Sequence, residues 1–221
     1  MRRRLRDNGL FLANFALFVL FLLGLYVTGE RQYNEDQLAH HGQPVSLVGY
    51  LTTASFGEAV FENWESEFLQ MGMYVVLTAY LVQVGSAESK SPDGDDPQDE
   101  DPRHHQDDPN APWPVRRGGA VMLVYENSLL VLFATLFALS IALHAWTGSA
   151  EYNHTQHLHG EPSVSLWGYV TSSTFWFQSF QNWQSEFLAV SVLVLGSVWL
   201  RQRRSSQSKA VHAPHSETGS S

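Results

Sequence analysis

No cysteine occurs in the 221 residues, so disulfides, thiolate metal sites and iron–sulfur clusters are excluded at once, and thiol usage says nothing of the compartment. Also missing are the phosphate-cradling G-x-x-x-x-G-K-[ST] loop, the G-x-S-x-G elbow, the dinucleotide fingerprint and H-E-x-x-H. No catalytic residue set is therefore visible, and neither a metal nor any other cofactor is expected. A third absence is local: no Asp, Glu, Lys, Arg or Pro falls within 9–27, 68–82, 129–146 or 187–200. A mean hydropathy of −0.17 and a net charge of −9 conceal this segregation.

A hydrocarbon layer about 30 Å thick needs about 20 helical residues. The first and third runs supply them. The second and fourth are shorter, but each follows an amphipathic stretch that can continue its helix. Four spans are expected, at about 9–27, 67–84, 128–146 and 186–200. The basic residues test this. Arg2, Arg3, Arg4 and Arg6, then Lys90, Arg103, Arg116 and Arg117, then Arg201, Arg203, Arg204 and Lys209 all fall on one side; of the thirteen basic residues only Arg31 falls on the other. The positive-inside bias makes that common side cytoplasmic, with both termini and the central linker inside. The opening MRRRLRDN and its apolar run also suit a secretory signal, but the run is long for one and the same pattern recurs mid-chain.

Sliding the chain by 119 residues superposes it on itself, Asn8 on Asn127 and Lys90 on Lys209. Thr28-Gly29 meets Thr147-Gly148, Tyr33-Asn34 meets Tyr152-Asn153, and NWESEF (63–68) meets NWQSEF (182–187). The loop HGQP (41–44) meets HGEP (159–162) only after a one-residue shift. Two parallel two-span repeats follow, 1–90 and 119–209, related by an axis along the membrane normal. The acidic, Pro-rich 91–118 reads as a disordered cytoplasmic tether and 210–221 as a disordered tail. The fold class is all-α: an integral membrane four-helix bundle of two helical hairpins with amphipathic helices at the outer interface.

Within the duplicated phrase, Asn63 and Glu67 share a helix face, as do Trp64 and Phe68; Asn182 with Glu186 and Trp183 with Phe187 repeat the spacing. Each letter has a structural reason: Trp suits the headgroup layer, Asn63, Ser66, Asn182 or Ser185 suits a helix start, and an early Glu suits the positive end of the helix dipole. The alternative is that Glu67 and Glu186 face each other at the outer mouth and bind a cation or pass protons. Their neighbours Glu62 and Glu65 become Gln181 and Gln184, whereas this pair keeps its charge.

Other candidates are weaker. His154, His157 and His159 crowd one outer loop, with His40 and His41 in the other, but the spacing fits no strong metal signature. Asn8 and Asn127 suit helix caps, Tyr33-Asn34 and His-Gly-x-Pro suit turns, and Ser55-x-x-Glu58 suits a capping box. Asn14, polar within a span, is expected to face another helix. Ala134, Ala138 and Ala142 form a small-residue seam. Basic residues that flank spans give no nucleic-acid patch.

The starts [DE]-N-[GS]-L, the T-G…Y-N and H-G-x-P elements, F-x-N-W-x-S-E-F and the S-x-x-S-K ends together resemble a family of small bacterial membrane proteins of unknown function. The likeness covers 6–90 and 117–218, and implies a bacterial cytoplasmic-membrane protein with no activity to transfer. The expected partners are the lipid bilayer and a membrane protein or a second copy, in a structural or interaction role. A small proton or cation transporter is the alternative.

Overall fold

The computed structural model describes residues 7–92 and 96–219; the basic stretch Arg2, Arg3, Arg4 and Arg6 lies outside them. It is all-helical among the described residues. In order come α1 (Gly9–Ala39), α2 (Leu47–Tyr50), α3 (Ala54–Tyr80), α4 (Trp113–Arg117), α5 (Gly119–Glu126), α6 (Ser128–Leu158), α7 (Leu166–Val170) and α8 (Ser173–Trp199). The long helices recur at one offset: α1 and α6 have 31 residues each, α3 and α8 have 27. Residues Met1–Glu62 with Ala142–Trp176 form one compact unit, and Asn63–Ile141 with Phe177–Ser221 a second.

In the first unit α1 continues well past its apolar run, because Glu30 to Ala39 holds good helix formers and no glycine or proline. Tyr33-Asn34 is therefore helix, not turn. Asn34 instead grips the returning chain: its amide donates to Val45 O at 2.8 Å and its oxygen accepts from Val45 N at 2.7 Å. Asn153 grips Val164 in the same way, at 3.0 and 2.7 Å. Gly42 N donates to Gln37 O and Glu161 N to Gln156 O, bonds from the sixth residue of a helix end back to the first. The left-handed residues are His41 (φ 60) and Gly160 (φ 73). The offset thus stays 119 through the loop, and the His-Gly-x-Pro likeness is one residue out of step with the fold. A left-handed position costs a non-glycine residue about 1–2 kcal/mol.

Ser46 and Ser165 then cap α2 and α7 through the amides of Gly49 and Gly168. The cap of α3 is not Ser55: Thr53 Oγ1 accepts from Phe56 N, as Ser172 Oγ does from Phe175 N. Two tyrosines lie in the core, with Val60, Phe175 and His144 also buried. Tyr50 and Tyr169 are 2% and 0% exposed, each edge-on to a phenylalanine, Phe56 or Phe175. Their phenols lie against Gly29 of α1 and Gly148 of α6, where a Cβ on Gly29 would stand 2.5 Å from the Tyr50 oxygen and one on Gly148 would also collide. This explains the duplicated Thr-Gly: the helix must lack a side chain where the ring crosses it.

The helices α3 and α8 run unbroken through Asn63 and Asn182, so in each the amphipathic stretch and the apolar run belong to one helix, and the phrase does not sit at a helix start. In the second unit the close approach is Gly72 to Phe133, where an added Cβ would meet the Phe133 Cβ at 3.3 Å; Ala134 and Ala138 are exposed, as is Ala142 of the first unit. Asn127 closes α5 and donates to Leu123 O, while Asn8 makes no side-chain cap bond.

Over the described residues, 91–118 and 210–221, expected from the sequence to be disordered, carry local turns. In the linker, prolines open 3-10 turns at Pro97–Asp99 and Pro102–His105, and the acids serve as turn acceptors, Asp96 from Ser91 N and Asp101 from Arg103 N. The tail is wrapped round the Lys209 ammonium, whose three donors meet Pro214 O, His215 O and Glu217 O at 3.3, 3.0 and 2.7 Å. A saturated cation orders a polar segment without an apolar core.

Gly29→Ala is expected to destabilise the protein by about 1–3 kcal/mol, and by distinctly less in a Tyr50→Phe background, which removes the oxygen nearest the new methyl. Denaturation of the four variants in detergent measures the coupling; independent effects would break the link between glycine and ring.

Candidate functional site

The duplicated phrase lies in the second unit, on α3 and α8. Its serines act locally: Ser66 Oγ donates to Asn63 O and Ser185 Oγ to Asn182 O, both at 2.8 Å, one turn back along their own helices. Trp64 packs edge-on to Phe68 at 6.4 Å. Trp183 turns instead to Phe137 of α6 and to Phe180, and Asn182 donates to Gln178 O. Glu67 is exposed and Glu186 half-buried, with Glu186 the charged group that acts on Glu67. The two glutamates are thus electrostatic neighbours.

The buried carboxylate is a different one. Glu65 is fully buried, and Ser179 of α8, also fully buried, donates to its Oε1 at 2.7 Å. Sequence reasoning passed over Glu65 because its counterpart is Gln184, which is exposed and bonds to Gln181 O. A signal was present nonetheless. Where the second half has Ser179 the first has Val60, so a carboxylate and the hydroxyl that serves it each stand at a position where the two halves differ.

Further along α3 and α8 the polar residues thin out. Gln70 is buried. Tyr74, Thr78 and Ser191 converge on a groove of about 430 Å3, otherwise walled by residues such as Leu77, Phe187 and Val194. The Tyr74 hydroxyl donates to Glu88 at 3.3 Å. Glu88, with Tyr74 and Thr78, also borders a cavity of about 600 Å3, beside which Lys90 pairs with Asp99 at 2.7 Å. The groove is apolar with a polar inner rim.

The outer histidines, in the first unit, diverge. His154 meets the Gln37 amide at 2.7 Å and stacks on Tyr33; His157 meets the Ser163 hydroxyl at 2.9 Å; His159 meets Thr155 O and packs edge-on to His40. No three metal-ligating side chains gather among the described residues. Nearby, burial pushes the Tyr50 phenol above its ordinary pKa; the Ser55 hydrogen bond opposes this, and the charge of Glu151 adds to it. In the tail of the second unit, burial holds Lys209 below the ordinary lysine value, Arg201 adds to the effect and Glu217 opposes it.

Fold and site define an all-helical protein with two helices, Gly9–Ala39 and Ser128–Leu158, long and apolar enough to cross a membrane. More particularly, the chain belongs to the family described as a domain of unknown function, DUF6766, whose profile matches residues 1–220. No curated protein and no solved structure matches it.

Ser179→Ala is expected to cost about 1–3 kcal/mol, because it strips a buried carboxylate of a hydrogen-bond donor. Denaturation in detergent checks this. The paired change Glu65→Gln with Ser179→Ala should cost less than the two single changes added together, and simple additivity would mean that the serine does not serve the carboxylate.

Proposed function

We propose that this chain is a non-enzymatic multi-pass protein of the bacterial cytoplasmic membrane, a duplicated four-span bundle with a structural or interaction role. The observation that carries the reading is the bareness of its most apolar helices. None of the apolar window of Gly9–Ala39 is buried within the protein, and only 17% of that of Ser128–Leu158. A soluble core helix of such composition would be covered; hydrocarbon is the solvent that leaves it bare at no cost. Along α3 and α8, Leu77, Leu188, Val192 and Leu195 are likewise exposed, and the basic zones beyond Tyr80 and Trp199 support an inner end there. The partners of this reading are lipid and a membrane protein or second copy, with both termini and the linker cytoplasmic.

A cysteine-free chain permits a clean test. Single cysteines at Gln43 and Ser163 should react with an impermeant maleimide in intact cells, and those at Asp107 and Ser206 only after permeabilisation. Labelling at Asp107 from outside would leave α3 uncrossed and overturn the four-span topology.

A second reading, a small proton or cation transporter, is favoured by one observation, the electrostatic proximity of Glu67 and Glu186. It requires proton or cation flux into liposomes that disappears in the Glu67→Gln, Glu186→Gln protein. Flux no greater than that of empty liposomes removes it.

A further inference from the structure

The loops that follow α3 and α8 are built alike. Gln83 N donates to Ser89 Oγ at 2.9 Å, and Gln202 N to Ser208 Oγ at 2.9 Å. Glu88 N donates to Ser86 Oγ and Gln207 N to Ser205 Oγ, both at 3.1 Å. Ser86 N closes on Gln83 O as Ser205 N does on Gln202 O. Each loop turns through one left-handed residue, Gly85 (φ 84) in the first and Arg204 (φ 72) in the second.

Their occupancy differs. The Gly85 amide donates to Thr218 Oγ1 at 2.9 Å, and the protein's own tail covers the glycine, leaving no room for a side chain against His215 O. The first loop is an oxygen seat already filled. In the second loop the Arg204 amide has no acceptor among the described residues. The turn borders a cavity of about 290 Å3 lined by Arg203, Arg204, Ser205, Ser208 and His212. Neither Arg203 nor Arg204 meets a carboxylate among the described residues, and both are exposed. The positions of Arg203 and Arg204 are held in the first loop by Val84 and Gly85. Two arginines thus replace small or apolar residues at the turn whose amide has no acceptor among the described residues, one of them at a backbone angle that favours glycine.

We propose that the Gln202–His212 loop binds the phosphate of an anionic phospholipid headgroup, a phosphate oxygen taking on the Arg204 amide the place that Thr218 Oγ1 takes on Gly85. A turn with a left-handed residue presents its amides to an anion, and arginine forks onto phosphate oxygens. The lipid source follows from position: the loop begins three residues after Trp199, the inner end of the fourth span. The inference rests on the four-span reading in this respect.

The test uses the full-length protein in phosphatidylcholine vesicles carrying phosphatidylglycerol, with brominated forms of either lipid quenching tryptophan fluorescence. Wild type should prefer the anionic lipid. Arg204→Gly installs the residue that the first loop already uses, so the fold should survive, and the preference should fall about fivefold. Arg103→Gln, which removes an exposed linker arginine, should leave the preference unchanged. An equal drop with Arg103→Gln would mean diffuse attraction and overturn the site, as would an unaltered preference in Arg204→Gly. Displacement of the anionic lipid by millimolar inorganic phosphate would assign the loop to a soluble anion and overturn the lipid assignment. Extraction of wild type from the vesicles by alkaline carbonate would sink the span reading and the inference together, whereas retention without headgroup preference sinks the inference alone.

Discussion

A helix that shows its side chains to hydrocarbon must satisfy every polar group it carries from within itself. Five polar side chains of the long helices are satisfied within their own helix by one device. Asn14 donates to Leu10 O, Thr28 to Gly24 O, Thr135 to Val131 O, Thr147 to Leu143 O and Ser191 to Phe187 O, each four residues back. The expected interhelical role of Asn14 is thereby corrected: its amide is spent on its own helix, and its flank can stay bare. Only with such groups silenced can α1 remain uncovered over its whole apolar window. Packing is then left to a few close approaches at glycine, Gly29 and Gly148 under tyrosine rings and Gly72 beside Phe133.

Much of this was legible in the sequence, and the reason lies in which residues hold the structure. Thr-Gly, Tyr-Asn and Asn-Trp-x-Ser-Glu-Phe are each tied to a geometric task, so they recur wherever the task recurs. What the sequence concealed was which task. Asn34 reads as a turn residue because its amide competes with local backbone; in the fold that amide is engaged by Val45 of a distant segment, and the helix runs through it. The loop likeness at His-Gly-x-Pro misled for a related reason. A left-handed C-terminus asks for one conformation rather than one letter, and His41 meets it at some cost where Gly160 meets it freely. The turns of the tail were hidden because they close on one buried lysine, and no hydrophobic period announces such a contact.

The differences between residues 119 apart are also informative. Two halves under the same steric demands should diverge only where the demand is relaxed or the task has changed. Glu65 with Ser179 is such a place: each departs from its counterpart, and each supplies what the other needs. A lone buried carboxylate would be costly, which is why the pair is more telling than either residue. The charge that both halves keep, Glu67 and Glu186, is the more exposed one. The shared charge lies in mid-helix on the more exposed side, and burial went with the residues that differ.

The inner loops extend the same reasoning from residues to occupancy. Equal backbone bonds in two turns mean equal amide geometry, so what fills one describes what would fill the other. The tail fills the first with a hydroxyl oxygen, and it can reach only one such seat, since Lys209, Arg201 and Ser86 fix its course. Arg201 is itself held by the closing carbonyls of α8, whereas Arg203 and Arg204 of the same loop meet no carboxylate among the described residues. A left-handed arginine is harder to hold than a left-handed glycine by about 1–2 kcal/mol. That cost, borne beside an open amide, points to an oxygen acceptor from outside the chain.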